Sequence, residues 1–298
     1  MTQFLQTLLN GISVGCSYTL MGLGLTVIYS VYRILNMAHG EYYMLGAFVT
    51  YFTMNLAGAS YVVAAIISMI VTGIFGLITE LLIFRRLQTR SENDQVVATI
   101  GLYFFLENFA LWLWTANIRP LPSPFGASSV VRLGSVVISA HRLMIIIVTI
   151  ILIIVMQLFY SKVKIGKQMR AVSQDRAAAQ LMGINIKRVS QVAFFLACAF
   201  ASLAGTLMGS LREISPVMGM NPLLSAVVVV ILGGMGSNLG AIVGGLVLGV
   251  IEQLVMTYST AIVSPTAASA WSQIAIFIIM YVVLMVKPSG LFGGKRHG

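Results

Sequence analysis

Asn36-Met37-Ala38-His39-Gly40-Glu41 gathers an amide, an imidazole and a carboxylate within six positions, between long apolar runs. Such residue types can hold a metal, pass a proton or shape a polar path. The spacing is not that of a zinc protease, and the chain has only 3 His and 2 Cys, so a metal site has few ligands to draw on. A histidine and a carboxylate inside an apolar run are costly unless paired or beside water. Gly40 lets the backbone bend or approach a neighbour closely. Broken helices at membrane depth characteristically line a translocation path. The reading is a helix break near a pore, shaped by Asn36, His39, Gly40 and Glu41. A structural hinge and an ordinary loop are the plainer alternatives.

Gly233-Gly234-Met235-Gly236-Ser237 forms a second break, preceded by Pro222. It offers backbone groups to a solute. Gly236, Gly240 and Gly244 recur every four residues, as do Gly245 and Gly249, a spacing that lets helices approach closely in lipid. No Gly-Lys-Ser/Thr follows, so this is not a phosphate-binding loop, and no cofactor site is recognisable in the chain. Met44–Phe48 and Asn238–Ile242 follow the two breaks with a similar pattern, a faint sign of two related halves.

The third group is polar. Positions 161–188 hold seven basic residues and one acid, Asp175. Within it, 174–185 reads as a short helix. Asp175 suits its N-terminus, Ala177, Ala178 and Ala179 favour helix, and Gly183 suits a left-handed end. Ala178, Leu181 and Met182 share a face, which must lie on the membrane surface or dock in a partner's groove.

These groups must be positioned by membrane helices. Of the 298 residues, 58% are hydrophobic and 9% charged, against about 25% charged in a soluble domain. Unbroken apolar runs, such as Leu143–Phe159 and Ala275–Val286, exclude a β-barrel's alternation. The expected fold is all-α and polytopic, with eight or nine spans and discontinuous helices. Nine apolar segments are predicted at 8–31, 38–56, 61–84, 95–115, 142–160, 189–211, 222–236, 238–258 and 271–287. Met1–Leu9 lacks a basic leader region and reads as part of the mature chain.

The net charge of +10 does not point to nucleic acid, because the basic residues sort by side. Arg33, three arginines at 85–90, seven basic residues at 161–188, and Lys287, Lys295 and Arg296 make 14; Arg119, Arg132, Arg142 and Arg212 make the other 4. The asymmetry predicts the first set, with the C-terminus, in the cytoplasm. Cys16 and Cys198 read as buried apolar residues. Glu80 is expected near Arg85 and Arg86 at the interface. Glu107 and Glu252 are expected to pair structurally rather than relay protons. Trp112 and Trp114 suit an aromatic belt.

The run Asp175-x3-Ala179-x3-Gly183-Ile184 resembles the coupling-loop motif of ABC-transporter permeases, with Asp where Glu is usual. Gly22–Tyr29, Ile34–Glu41, Gly166–Val172 and Val230–Ser237 resemble, in order, the signature segments of the branched-chain amino acid (LivH-type) permeases. The resemblance covers nearly the whole chain, loosely at 116–141 and in the tail. It implies one transmembrane permease domain over 1–298 in a bacterial inner membrane, and not an enzyme. ATP with Mg would be bound by two cytoplasmic ATPase subunits, docked through Asp175, Arg176, Ala178, Ala179, Leu181, Met182 and Gly183. A second homologous permease and a periplasmic substrate-binding protein complete the expected assembly. The expected cargo is branched-chain amino acids. Urea, short amides or other small solutes are alternatives within the family; an ion-coupled transporter or channel is the alternative outside it.

Overall fold

The structure is a computed structural model and describes residues 2–88, 90–126, 129–133 and 136–292. Lys295, Arg296 and Met1 lie outside these residues. The described elements are α1 (Thr2–Tyr32), α2 (His39–Ala57), α3 (Tyr61–Leu87), α4 (Glu92–Trp114), β1 (Val130–Leu133), β2 (Val136–Ser139), α5 (Ala140–Lys162), α6 (Lys164–Gln174), α7 (Arg176–Leu181), α8 (Ile186–Gly209), α9 (Met220–Gly233), α10 (Asn238–Ser259) and α11 (Pro265–Val286).

All nine predicted apolar segments are helical. Seven helices, α1, α3, α4, α5, α8, α10 and α11, are long and apolar enough to cross a membrane. The α2 helix is long enough but carries Tyr42, Tyr43, Thr50, Tyr51, Thr53 and Asn55. The 14-residue α9 helix spans about 21 Å at 1.5 Å per residue, short of a hydrocarbon core of about 30 Å.

The α1 helix is the axis of the bundle, buried along almost its whole length. Small residues recur along it, including Gly11, Ser13, Gly15, Ser17, Thr19, Gly22 and Gly24. Such residues let several helices approach one backbone. The α10 helix runs antiparallel along α1: Gly249 packs on Gly15, and Gly245 on Thr19. On another side α1 meets α8, which also carries α2 and α3. The glycine stripe expected to pack helices does so, but half of the contact is a second stripe, Gly11 and Gly15, that the sequence reading passed over.

The basic residues gather at opposite ends. Arg33 donates to the Ser173 carbonyl, and Arg176 reaches the Val31 carbonyl at 3.4 Å and Gln88 at 2.7 Å. At the other end, Arg119 pairs by backbone with Ile214, and Arg142 bonds Ser13 at 2.8 Å. The small antiparallel β1–β2 hairpin also sits there, held to α1 by Gln6 and Val137. It was not expected, because Val130–Ser139 is too short a signal beside the apolar runs.

Glu80 is buried within a π-helical turn, Glu80–Phe84, in α3. It accepts from the Tyr32 hydroxyl at 2.9 Å and from Arg85 at 3.2 Å, which fits the expected pairing. Removing the carboxylate leaves both donors short of a partner. Glu80→Ala is expected to lower stability by about 2 kcal/mol, read as a lower melting temperature in detergent; an unchanged melt would deny Glu80 this role.

Cys16 and Cys198 are buried thiols, as expected. Glu107 accepts from Tyr103, and Glu252 from Tyr18. Trp112 is exposed as a belt residue would be, but Trp114 is a correction. It turns inward and stacks on Phe48 with ring centroids 4.2 Å apart.

Candidate functional site

The first break begins where α1 stops at Tyr32. Arg33 adopts φ of 61°, and residues 33–38 turn back into the bundle. Asn36 organises this segment: its side chain accepts from Ala38 N–H at 3.0 Å, and its carbonyl accepts from His39 N–H. Thr99 of α4 receives the Met37 N–H at 3.2 Å. The return carries His39 to the face of Gly24, where an added Cβ would lie 2.9 Å from the ring. Gly24 is about 12 Å along α1 from Tyr32, so α2 starts inside the bundle. The 33–41 stretch is therefore a break packed inside the bundle.

Asn36, His39 and Glu41 are fully buried. Among the described residues, both His39 ring nitrogens, both Glu41 carboxylate oxygens, the Asn36 amide nitrogen and the Tyr42 hydroxyl have no hydrogen-bond partner. Buried polar groups are normally satisfied, and here six such atoms fall within seven positions of the chain. Gly40 provides the close approach: its backbone meets Gly219 at the start of α9 so tightly that a Cβ on Gly40 would lie 2.3 Å from the Gly219 carbonyl.

The second break joins α9 to α10. Gly234 and Gly236 have φ of 100° and 86°, values that side chains disfavour, and Ser237 caps α10 by accepting from Gly240 N–H at 3.1 Å. Gly233 packs directly on Gly240. The expected free backbone groups are already engaged. Leu291 N–H donates to the Leu232 carbonyl at 2.8 Å and Phe292 N–H to the Gly233 carbonyl at 3.0 Å. The tail after α11 thus satisfies the end of α9.

The polar stretch 161–188 contains two helices rather than one. The amphipathic α6 buries Gly166, Met169 and Val172, a three-to-four-residue period that was legible but overshadowed by the charges. Asp175 caps α7 by accepting from Ala178 N–H at 3.0 Å, and Gly183 ends it with φ of 78°. The helix is shorter than 174–185. Leu181 and Met182 are 88% and 83% exposed, and Ala178 is exposed beside them. Ala179 departs from the expected docking face and is buried. Arg176 likewise turns inward, toward Val31 and Gln88.

These three groups meet at one end of the bundle. Ser30 of α1, Arg170, Ser173 and Gln174 of α6, and Gly236 and Asn238 of the second break line one cavity of about 220 Å³. Arg33 of the first break holds the same α6. The α6–α7 segment therefore touches both breaks.

Seven helices long and apolar enough to span, with two internal breaks and an amphipathic segment touching both, define the class as a multi-pass helical membrane protein. The model of the family described as branched-chain amino acid transport system / permease component matches residues 7–284, and the chain belongs to that family. The high-affinity branched-chain amino acid transport system permease protein LivH of Salmonella typhimurium is 30% identical over 97% of this chain and 96% of its own. The permease protein BraD of Pseudomonas aeruginosa is 30% identical over the same shares. The LivM permease of Escherichia coli is 24% identical, over 94% of this chain and 68% of its own. The chain is accordingly a permease subunit of an ABC transport system in an inner membrane.

Proposed function

We propose that this chain moves branched-chain amino acids inward as one of two permeases in an ATP-driven importer. The observation that carries this reading is the α6–α7 segment, which presents Leu181 and Met182 outward and touches both breaks inward. Two cytoplasmic ATPase subunits, which hold ATP and Mg, dock on Leu181, Met182 and Ala178. Asp175 and Gly183 give the helix its ends. Arg176 transmits its displacement to the ends of α1 and α3. The breaks at Asn36–Glu41 and Gly233–Ser237 act as hinges, and the unsatisfied His39 and Glu41 gain partners as the bundle opens and closes.

The cargo follows from the family and from the relatives' names. The hairpin end faces a periplasmic binding protein, and the α7 end with the C-terminus lies in the cytoplasm, where the positive charge is concentrated. The second permease stands across a water-filled path from Asn221 and Gln273, which are exposed on apolar helices, since lipid is a poor neighbour for amides.

The test is gentle extraction followed by reconstitution. ATPase subunits are expected to co-purify, and labelled leucine to accumulate only with ATP inside the cytoplasmic compartment and binding protein outside. Uptake without ATPases, driven by an ion gradient, overturns the reading.

A further inference from the structure

A polar recess separate from the two breaks lies toward the hairpin end of the bundle. Tyr18 of α1, Glu252 of α10 and Arg212 of the α8–α9 connection surround a cavity of about 270 Å³. The Tyr18 hydroxyl donates to Glu252 at 2.5 Å. Tyr18, Glu252 and Ser225 are more than nine-tenths buried. Arg212 approaches the other carboxylate oxygen only to 3.6 Å, and half of its side chain is exposed. The pair is loose and one member is free to swing.

The opposite wall is uncharged. Asn221 of α9 and Gln273 of α11 are exposed on otherwise apolar helices. Exposed amides at this depth are costly against lipid. A neighbouring recess shares Asn221, Ser225 and Gln273 and adds Leu224, Ile276 and Phe277. The first turn of α9 borders the cavity at Asn221, adding the partial positive charge of a helix N-terminus to that of Arg212.

We infer that this cup is an outward-facing subsite for a zwitterionic α-amino acid with a short apolar side chain. The α-carboxylate takes Arg212 and the α9 N-terminal turn. The α-ammonium takes Glu252, held in place by Tyr18. The branched side chain stays within the main cavity, beside Met256. Both charges of the cup are satisfied by one head group, so binding replaces the loose ion pair instead of leaving either member unpaired. A solute with one charge leaves the other member desolvated and is rejected. The inference rests on the amino acid reading of the cargo and adds where, and by which atoms, it is first held.

The assembled transporter in right-side-out vesicles tests this through Asn221→Cys, labelled with a membrane-impermeant maleimide. Cys16 and Cys198 are buried and give little background. Leucine at about four times its dissociation constant is expected to slow labelling about fivefold. Isoamylamine, which lacks the carboxylate, and 4-methylpentanoate, which lacks the ammonium, are expected to leave it unchanged. Glu252→Gln and Arg212→Gln in the same background are expected to abolish protection by leucine, while labelling without ligand stays at the parent level. Three results overturn the inference in a complex that imports leucine: no labelling at Asn221→Cys, no protection by leucine, or equal protection by all three compounds. A complex that imports no leucine overturns the cargo reading instead. Its actual solute then decides the cup: protection by a zwitterion keeps it, and protection by an uncharged solute removes it.

Discussion

Gly249→Leu is expected to prevent accumulation of folded protein, whereas Gly101→Leu leaves it at the parent level. Both residues are glycines within apolar helices, so composition does not separate them. At Gly249 a Cβ would lie 2.1 Å from the Gly15 nitrogen and 2.2 Å from its Cα. These are backbone atoms of the axial helix and cannot swing away. The whole α1–α10 contact must spread, and the neighbouring Gly245–Thr19 and Gly11–Val250 contacts spread with it. Overpacking usually costs about 1–3 kcal/mol, and a backbone-on-backbone clash repeated along a helix lies at or beyond the upper end. At Gly101, on α4, nothing lies within 4 Å of an added Cβ. Fluorescence-detected size exclusion and melting after detergent extraction read the difference. A Gly249→Leu protein that melts with the parent contradicts this packing.

The second large effect is functional. Leu181→Asp and Met182→Asp are expected to reduce ATP-dependent uptake by about thirtyfold or more, as loss of an interface anchor worth about 2 kcal/mol does. Their side chains touch little of the permease, being 88% and 83% exposed, so folding changes by no more than about 0.5 kcal/mol. Protein yield and melting should match the parent, and ATPase subunits should be lost on purification. Arg176→Ala is expected to act differently. Its guanidinium bonds the Val31 carbonyl and Gln88 within the permease, so the ATPases stay bound while uptake falls. Retained uptake in Leu181→Asp and Met182→Asp contradicts docking through α7.

Much of this architecture was readable in the residues. Apolar length located the helices, because lipid requires backbone groups to be paired within a span. Asp175 and Gly183 announced the ends of α7, since capping and left-handed geometry are local properties. The four-residue glycine spacing announced α10's contact face. What escaped is what depends on the partner. Ala179 and Arg176 share α7 with Leu181, and only the packing of α6 and α1 decides which of them face inward. Trp114 has the sequence surroundings of a belt residue, but Phe48 lies in another helix. The outer cup was hidden for the same reason: Tyr18, Arg212, Asn221 and Glu252 come from four separate elements, and none forms a motif with its neighbours in the chain. Glu252 was read as structurally paired; its loose contact with half-exposed Arg212 becomes visible only in three dimensions.

The central position of α1 sets an order of assembly. It precedes the other described helices in the chain, and its serines, threonines and glycines suit packing against protein on every side better than lipid. Its longest contact is with α10, and Tyr18 and its partner Glu252 are 234 positions apart. Contacts so distant in sequence form slowly, and α1 must therefore wait beside α5 and α8 until α10 has been made. A chain cut short before α10 leaves its own axis unsealed, and is marked for removal by the very helix that was meant to hold it together.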